Sequence, residues 1–111
     1  MWCEGLSLNE WEQKYDDTKE LSYLHGRCDE WLVKNYRKHD KCVTITEYRD
    51  KLDRLCLMHC CLLRDDEYID VRGNTKNFQE IIDAFDYGEY NVEIYNTLND
   101  FKEKMKQLGI L

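Results

Sequence analysis

Residues 55–72 read Leu-Cys-Leu-Met-His-Cys-Cys-Leu-Leu-Arg-Asp-Asp-Glu-Tyr-Ile-Asp-Val-Arg. The first half, residues 55–63, is apolar apart from His59. It is far shorter than the roughly 20 apolar residues a spanning helix needs, and has the length of a strand buried on both faces. Arg64-Asp65-Asp66-Glu67 has the composition of a turn, and residues 68–72 alternate as a returning strand that Gly73 ends. A tight turn centred on Asp65-Asp66 sets Leu63 opposite Tyr68, Cys61 opposite Asp70 and His59 opposite Arg72. Side chains repeat with period 2, so His59 and Cys61 share a face with Asp70. His59 and Asp70 are then diagonal neighbours, with Cα atoms about 7–8 Å apart. A turn of odd length would slip this register and separate them.

Outward from the hairpin, residues 41–46 (Lys-Cys-Val-Thr-Ile-Thr) alternate and are β-branched, which predicts another strand; the charged residues 47–54 read as the connecting loop. Further upstream, Cys28, Trp31, Leu32, Asn35 and Tyr36 recur at one-face helical spacing, predicting a helix over 28–37. Asp29 and Glu30 in its first turn and Arg37, Lys38 and His39 near its end suit the helix dipole. Residues 7–24 predict helix with a break near 16–18, opened by a Ser7–Glu10 capping box. Downstream, a short helix is expected over 77–85 with Asn74 or Thr75 as cap, a strand over 91–95, and a last helix capped by Thr97 and stopped by Gly109. The fold class is therefore α+β over one domain, 1–111: N-terminal helices packed on a small, mostly antiparallel sheet, with a C-terminal helix.

The chain of 111 residues carries 23 acidic and 16 basic residues, a formal charge of −7. That disfavours a nucleic-acid binder or a protein docked on anionic lipid, both of which need a basic face, although an acidic DNA mimic would share the balance. With no apolar span and no leader-like N-terminus, a cytoplasmic protein with six reduced cysteines is expected. No phosphate-cradling glycine loop is present, and nothing in the sequence calls for a cofactor.

Three residues carry the chemistry. Cys28 opens a helix, where unpaired backbone N–H groups favour a thiolate. A free thiol, with a pKa of about 8.5, is only a few per cent ionised at neutral pH and needs a base. His59 supplies one, and Asp70 sits where a carboxylate would fix the imidazole tautomer. In order and type, His25-Gly26-Arg27-Cys28, Leu57-Met58-His59-Cys60 and Tyr68-Ile69-Asp70-Val71-Arg72-Gly73 resemble the minimal core of papain-like proteins, in particular the transglutaminase-like and NlpC-type forms. The resemblance spans about residues 20–75 through short motifs. It implies a papain-like core, with Cys28 as nucleophile, His59 as general base and acid, and Asp70 as orienter. It also implies acyl transfer from a protein or peptide-like amide: peptidase, amidase, deamidase or transferase chemistry. Where papain carries a Gln six residues before its Cys, this chain has Ser22, so the oxyanion donors expected are the Cys28 N–H with Tyr23, His25 or a neighbouring amide.

Blander readings compete. Cys28 alone reads equally as a core thiol, His59 as a satisfied core histidine, and Asp70 as a partner of Arg72. His25-x-x-Cys28 with Cys56-x-x-His59 has zinc-like spacing, but a regular strand would put Cys56 and His59 on opposite faces, so no metal is expected. Asp83, Asp86 and Glu89 read as acidic surface, and residues 86–90 as a polar turn or a tyrosine-rich partner surface. The rival to an enzyme is a catalytically inactive acidic interaction protein, for instance a phage- or mobile-element-encoded inhibitor. Substrate and oligomeric state are not legible in the sequence.

Overall fold

A computed structural model describes residues 1–85 and 88–110. It is α+β: five α-helices and a five-stranded, wholly antiparallel sheet among the described residues. A short 3₁₀ segment, Trp2–Gly5, precedes α1 (Leu8–Lys14), α2 (Lys19–Leu24) and α3 (Cys28–Asn35). Strands β1 (Lys41–Arg49), β2 (Arg54–Arg64), β3 (Glu67–Asp70) and β4 (Gly73–Thr75) follow, then α4 (Phe78–Ile82), β5 (Asn91–Tyr95) and α5 (Leu98–Gln107). The strand order across the sheet is β4-β3-β2-β1-β5.

Local chemistry explains most boundaries. Ser7 and Glu10 form the reciprocal capping box at α1. The expected break follows at Tyr15–Thr18, where the Thr18 N–H and hydroxyl both bond the Tyr15 carbonyl. The Thr97 hydroxyl accepts from Asp100 N at α5. The two-residue turn Asp65-Asp66 has both φ values positive, 51° and 65°, the conformation that matches the twist of a tight hairpin. It gives the even register expected: Leu62 opposite Ile69, Leu63 opposite Tyr68, Arg64 opposite Glu67.

Several expectations are corrected. Residues 47–49 extend β1 and the turn is confined to 50–53, because Glu47, Tyr48 and Arg49 pair with Cys56, Leu55 and Arg54. α3 ends at Asn35 rather than 37, and α4 ends at Ile82. Asn77, not Asn74 or Thr75, caps α4: its side chain accepts from Gln79 N. β3 stops at Asp70, since the chain turns back at Val71-Arg72 to pair Asp70 with Gly73 and form β4; Arg72 is not opposite His59. Gly73, with φ 126°, packs so tightly on the N-terminal segment that a Cβ would lie 2.1 Å from the Met1 carbonyl oxygen. Two residues of the expected polar turn, Asp86 and Tyr87, lie outside the described residues.

One irregularity matters for the site. The β1–β2 register shifts between Ile45, opposite His59, and Thr46, opposite Leu57, leaving Met58 as the extra residue of a β-bulge. Past the bulge the alternation of β2 inverts. Cys56 pairs with Glu47 and so lies on the same face as His59, which removes the opposite-face argument made for a regular strand.

The sheet separates two apolar layers. On one face α3 and α5 bury Cys28, Leu32, Phe101 and Met105 against Cys42, Cys60 and Leu62. On the other, α4 packs Ile81 and Ile82 against Val43, Ile45 and Cys61. A third cluster, Cys3, Trp11 and Leu24, ties the N-terminal helices to Val71 and Phe85. Each large side chain fully buried in this way contributes about 1.5–3 kcal/mol.

Candidate active site

β2 delivers His59, the β3–β4 hairpin delivers Asp70 and Arg72, and the start of α3 delivers Cys28. β3 pairs with β2 over Leu62–Arg64, and α3 packs on both strands. Cys28 lies in the layer with Cys60, whereas His59 shares the opposite face of β2 with Ile45 and Cys61; the Cys28 sulfur interacts with both Cys60 and His59.

His59 Nε2 lies 3.0 Å from Asp70 Oδ2, with both side chains almost wholly buried. The carboxylate is held from its other side. Asp70 Oδ1 accepts the Arg72 backbone N–H at 2.8 Å, and Arg72 Nη2 donates to Oδ2 at 2.5 Å. The same nitrogen donates to the Ile81 carbonyl at 3.1 Å. The Arg72 guanidinium is covered by the Trp2 ring, whose centroid lies 4.4 Å away, and Phe85 packs on the His59 ring at 4.9 Å. Asp70 thus meets both His59 and Arg72; the readings as triad member and as arginine partner are not exclusive. A single acceptor oriented by a buried cation fixes the ring plane and the Nε2–H tautomer.

The other ring nitrogen, Nδ1, is buried and has no hydrogen-bond partner among the described residues. Buried polar atoms are paired in the great majority of cases, and this exception, shared with Thr46 Oγ1 and Glu47 Oε2, lies beside a thiol. Cys28 is that thiol. Its sulfur interacts with the Cys60 thiol, which most strongly lowers its pKa; burial opposes this, and His59 lowers it further, leaving Cys28 well below the usual thiol range. For His59, burial pulls the pKa down, but the hydrogen bond to Asp70 and the interaction with Cys28 outweigh it and raise the value to about 9. Burial pushes Asp70 upward, yet His59 and Arg72 bring its carboxyl below the ordinary range. Cys28 and His59 thus shift each other in opposite directions, the thiol downward and the imidazole upward.

Four of the other cysteines behave oppositely. Burial pushes Cys42 up to about 12, raises Cys60 and Cys61 well above the usual thiol range, and raises Cys3. All six are free. The sequence missed the part Cys60 plays, although the opposite facing of adjacent Cys60 and Cys61 in a strand was the signal for it.

The oxyanion candidates separate. His25 is half-exposed and faces Glu12 Oε1 at 3.6 Å. Tyr23 is buried, its ring flanked by Lys19 Nζ and the Arg27 guanidinium at 5.5 and 5.3 Å. Arg27, the N-cap of α3, provides no side-chain cap, and the Asp29 carboxylate lies against the N–H groups of Asp29 and Glu30 in the first turn. Among the described residues no three His, Cys, Asp or Glu side chains cluster as metal ligands, and no helix is long and apolar enough to cross a membrane. No family model, curated protein or solved structure matches the chain.

Proposed function

We propose that this chain is a papain-like cysteine enzyme acting on amide bonds of proteins or peptides, with Cys28, His59 and Asp70 as its triad. The observation that carries the reading is the buried 3.0 Å His59–Asp70 contact, which leaves His59 Nδ1 unpaired beside Cys28. In this mechanism the Cys28 thiolate attacks the substrate carbonyl, and the carbonyl electron pair moves to oxygen. The Cys28 N–H at the start of α3 receives this oxyanion. Collapse breaks the C–N bond, and the His59 imidazolium gives its Nδ1 proton to the leaving amine, leaving a thioester on Cys28. Neutral His59 then takes a proton from water, or from an acceptor amine, as that nucleophile attacks the thioester and releases Cys28. Asp70 keeps the Nε2 proton throughout, and Arg72 keeps Asp70 in place.

Iodoacetamide labelling at pH 6–7, mapped by peptide mass spectrometry, tests the reading. Cys28 is expected to label ahead of Cys3, Cys42, Cys56, Cys60 and Cys61, and to slow in folded His59→Ala. Equal Cys28 labelling in wild type and folded His59→Ala overturns the triad.

A further inference from the structure

The two edges of the sheet are finished differently. At the β4 edge, the Met1 ammonium donates to Asn74 Oδ1, Cys3 N donates to the Arg72 carbonyl, and Gly73 packs against Met1. The opposite edge is β5, Asn91-Val92-Glu93-Ile94-Tyr95, which among the described residues pairs only with β1. An edge strand directs alternate N–H and C=O groups outward, and natural edges are usually blunted by lysine, proline or a bulge. β5 has none of these, and its register with β1 is regular.

Its side chains are suited to a further strand. Val92 and Ile94 stand opposite the fully buried Ile45 and Val43, so they prolong the apolar face that α4 covers. Yet they are 41% and 51% exposed. Tyr95, on the other face, packs into the layer of α3 and α5. The surroundings are acidic. A cleft at the Asn91 end is lined by Glu47, Asp50 and Glu89; one at the Tyr95 end is lined by Glu93, Asp100 and Glu103, with Lys104 the cation there. A second copy fits poorly, because antiparallel pairing of two β5 strands about their midpoint sets Glu93 against Glu93.

We infer that β5 is a docking edge for an extended basic segment of another protein, which adds as a sixth strand with apolar residues on Val92 and Ile94 and lysines or arginines in the flanking acidic clefts. Main-chain hydrogen bonds supply the affinity and the charges supply the selectivity.

The probes are three labelled peptides of about eight residues, enough to span a typical strand: alternating Lys–Val, Glu–Val and Lys–Pro. Binding to the full chain is read by fluorescence anisotropy, with amide exchange followed in parallel. The Lys–Val peptide is expected to bind, to weaken as salt rises through about 0.5 M, and to slow exchange in β5. The Glu–Val peptide is expected not to bind. The Lys–Pro peptide carries the same charge but cannot pair as a strand, and is expected to bind at least about tenfold more weakly. A Glu93→Lys/Ile94→Lys variant, changed only on exposed positions, is expected to lose Lys–Val binding, whereas Cys28→Ser keeps it. Equal binding of Lys–Val and Lys–Pro, protection elsewhere than β5, or unchanged binding by the double variant overturns the inference. So does a concentration-dependent dimer abolished by that variant. Because Cys28→Ser leaves the edge intact, failure here and failure of the triad are read separately.

Discussion

Two buried aspartates in this molecule are each clamped by an arginine, and they differ in what is left over. Asp40, after α3, accepts the Arg37 backbone N–H at 2.8 Å and Arg64 Nε and Nη2 at 2.8 and 2.6 Å. Arg64 reaches solvent, and every partner of that carboxylate is a donor with no proton to pass on. Asp70 is clamped as closely by Arg72, in full burial, but its Oδ2 also holds an imidazole whose second nitrogen has no hydrogen-bond partner among the described residues. The first cluster is closed and ties the end of α3 to β2. The second leaves one buried nitrogen, His59 Nδ1, without a partner among the described residues. Under the proposed function the first pair serves stability and the second chemistry, and the unpaired nitrogen is what separates them.

The comparison breaks most readily by removing the cations. Arg72→Ala strands the Asp70 carboxylate with a buried imidazole, and is expected to cost about 3–5 kcal/mol in urea unfolding. Arg64→Ala leaves Asp40 at a position water can reach, and is expected to cost about 1–3 kcal/mol. Equal losses would erase the distinction in burial between the clusters.

The next effect is on reactivity. His59→Ala is expected to slow Cys28 alkylation at pH 6.5 by at least about tenfold, the change in thiolate fraction for each unit of pKa lost. Asp70→Asn, which misorients the ring without removing it, is expected to act in the same direction but less. Arg64→Ala, at the closed cluster, is expected to leave the rate unchanged.

A subtler effect concerns stability against pH. His59 has a folded pKa raised from 6.5 to about 9, so its contribution is complete below pH 6.5 and is lost as pH rises through about 9. Cys28 is lowered from 9.0, so its contribution is complete above pH 9 and is lost as pH falls toward its folded pKa. Over about pH 6.5–9 the two slopes cancel, because folded and unfolded chains hold the same number of protons on the pair. Unfolding free energies from urea titrations are expected to show no net pH dependence from the pair across that window. In Cys28→Ser the His59 slope stands alone, and stability is expected to fall relative to wild type as pH rises. Parallel curves for the two proteins would mean that no thiolate–imidazolium pair forms.

The hairpin was legible because parity in a strand is discrete: Asp65-Asp66 selects an even register, and Asp70 then has to lie diagonal to His59. Capping at Ser7 and Thr97 was legible for a similar local reason. What escaped was tertiary. Nothing in residues 47–49 distinguishes a charged loop from a charged strand end until β2 is there to pair with it. The turn at Val71-Arg72 depends on Arg72 finding Asp70, Ile81 and Trp2, contacts that involve segments remote in sequence. Of the site, the order Cys28, His59, Asp70 was readable, whereas the contact of Cys28 with Cys60 and the removal of His25 to the surface needed the packing of α3 on β2.

The bulge at Met58 also bears on how this chain can vary. It divides β2 into two lengths whose inward and outward positions are set independently, one counted from the Asp65-Asp66 turn and the other from the turn at 50–53. The inner length carries His59 and Cys60 and tolerates no change of phase. The outer length can absorb a gain or loss of residues, with the bulge taking up the mismatch, and His59 keeps its aim. The distal β1–β2 hairpin is therefore free to lengthen, shorten or change composition while His59 and Asp70 stay in register, so that change at the far end of the sheet need not reach the buried imidazole.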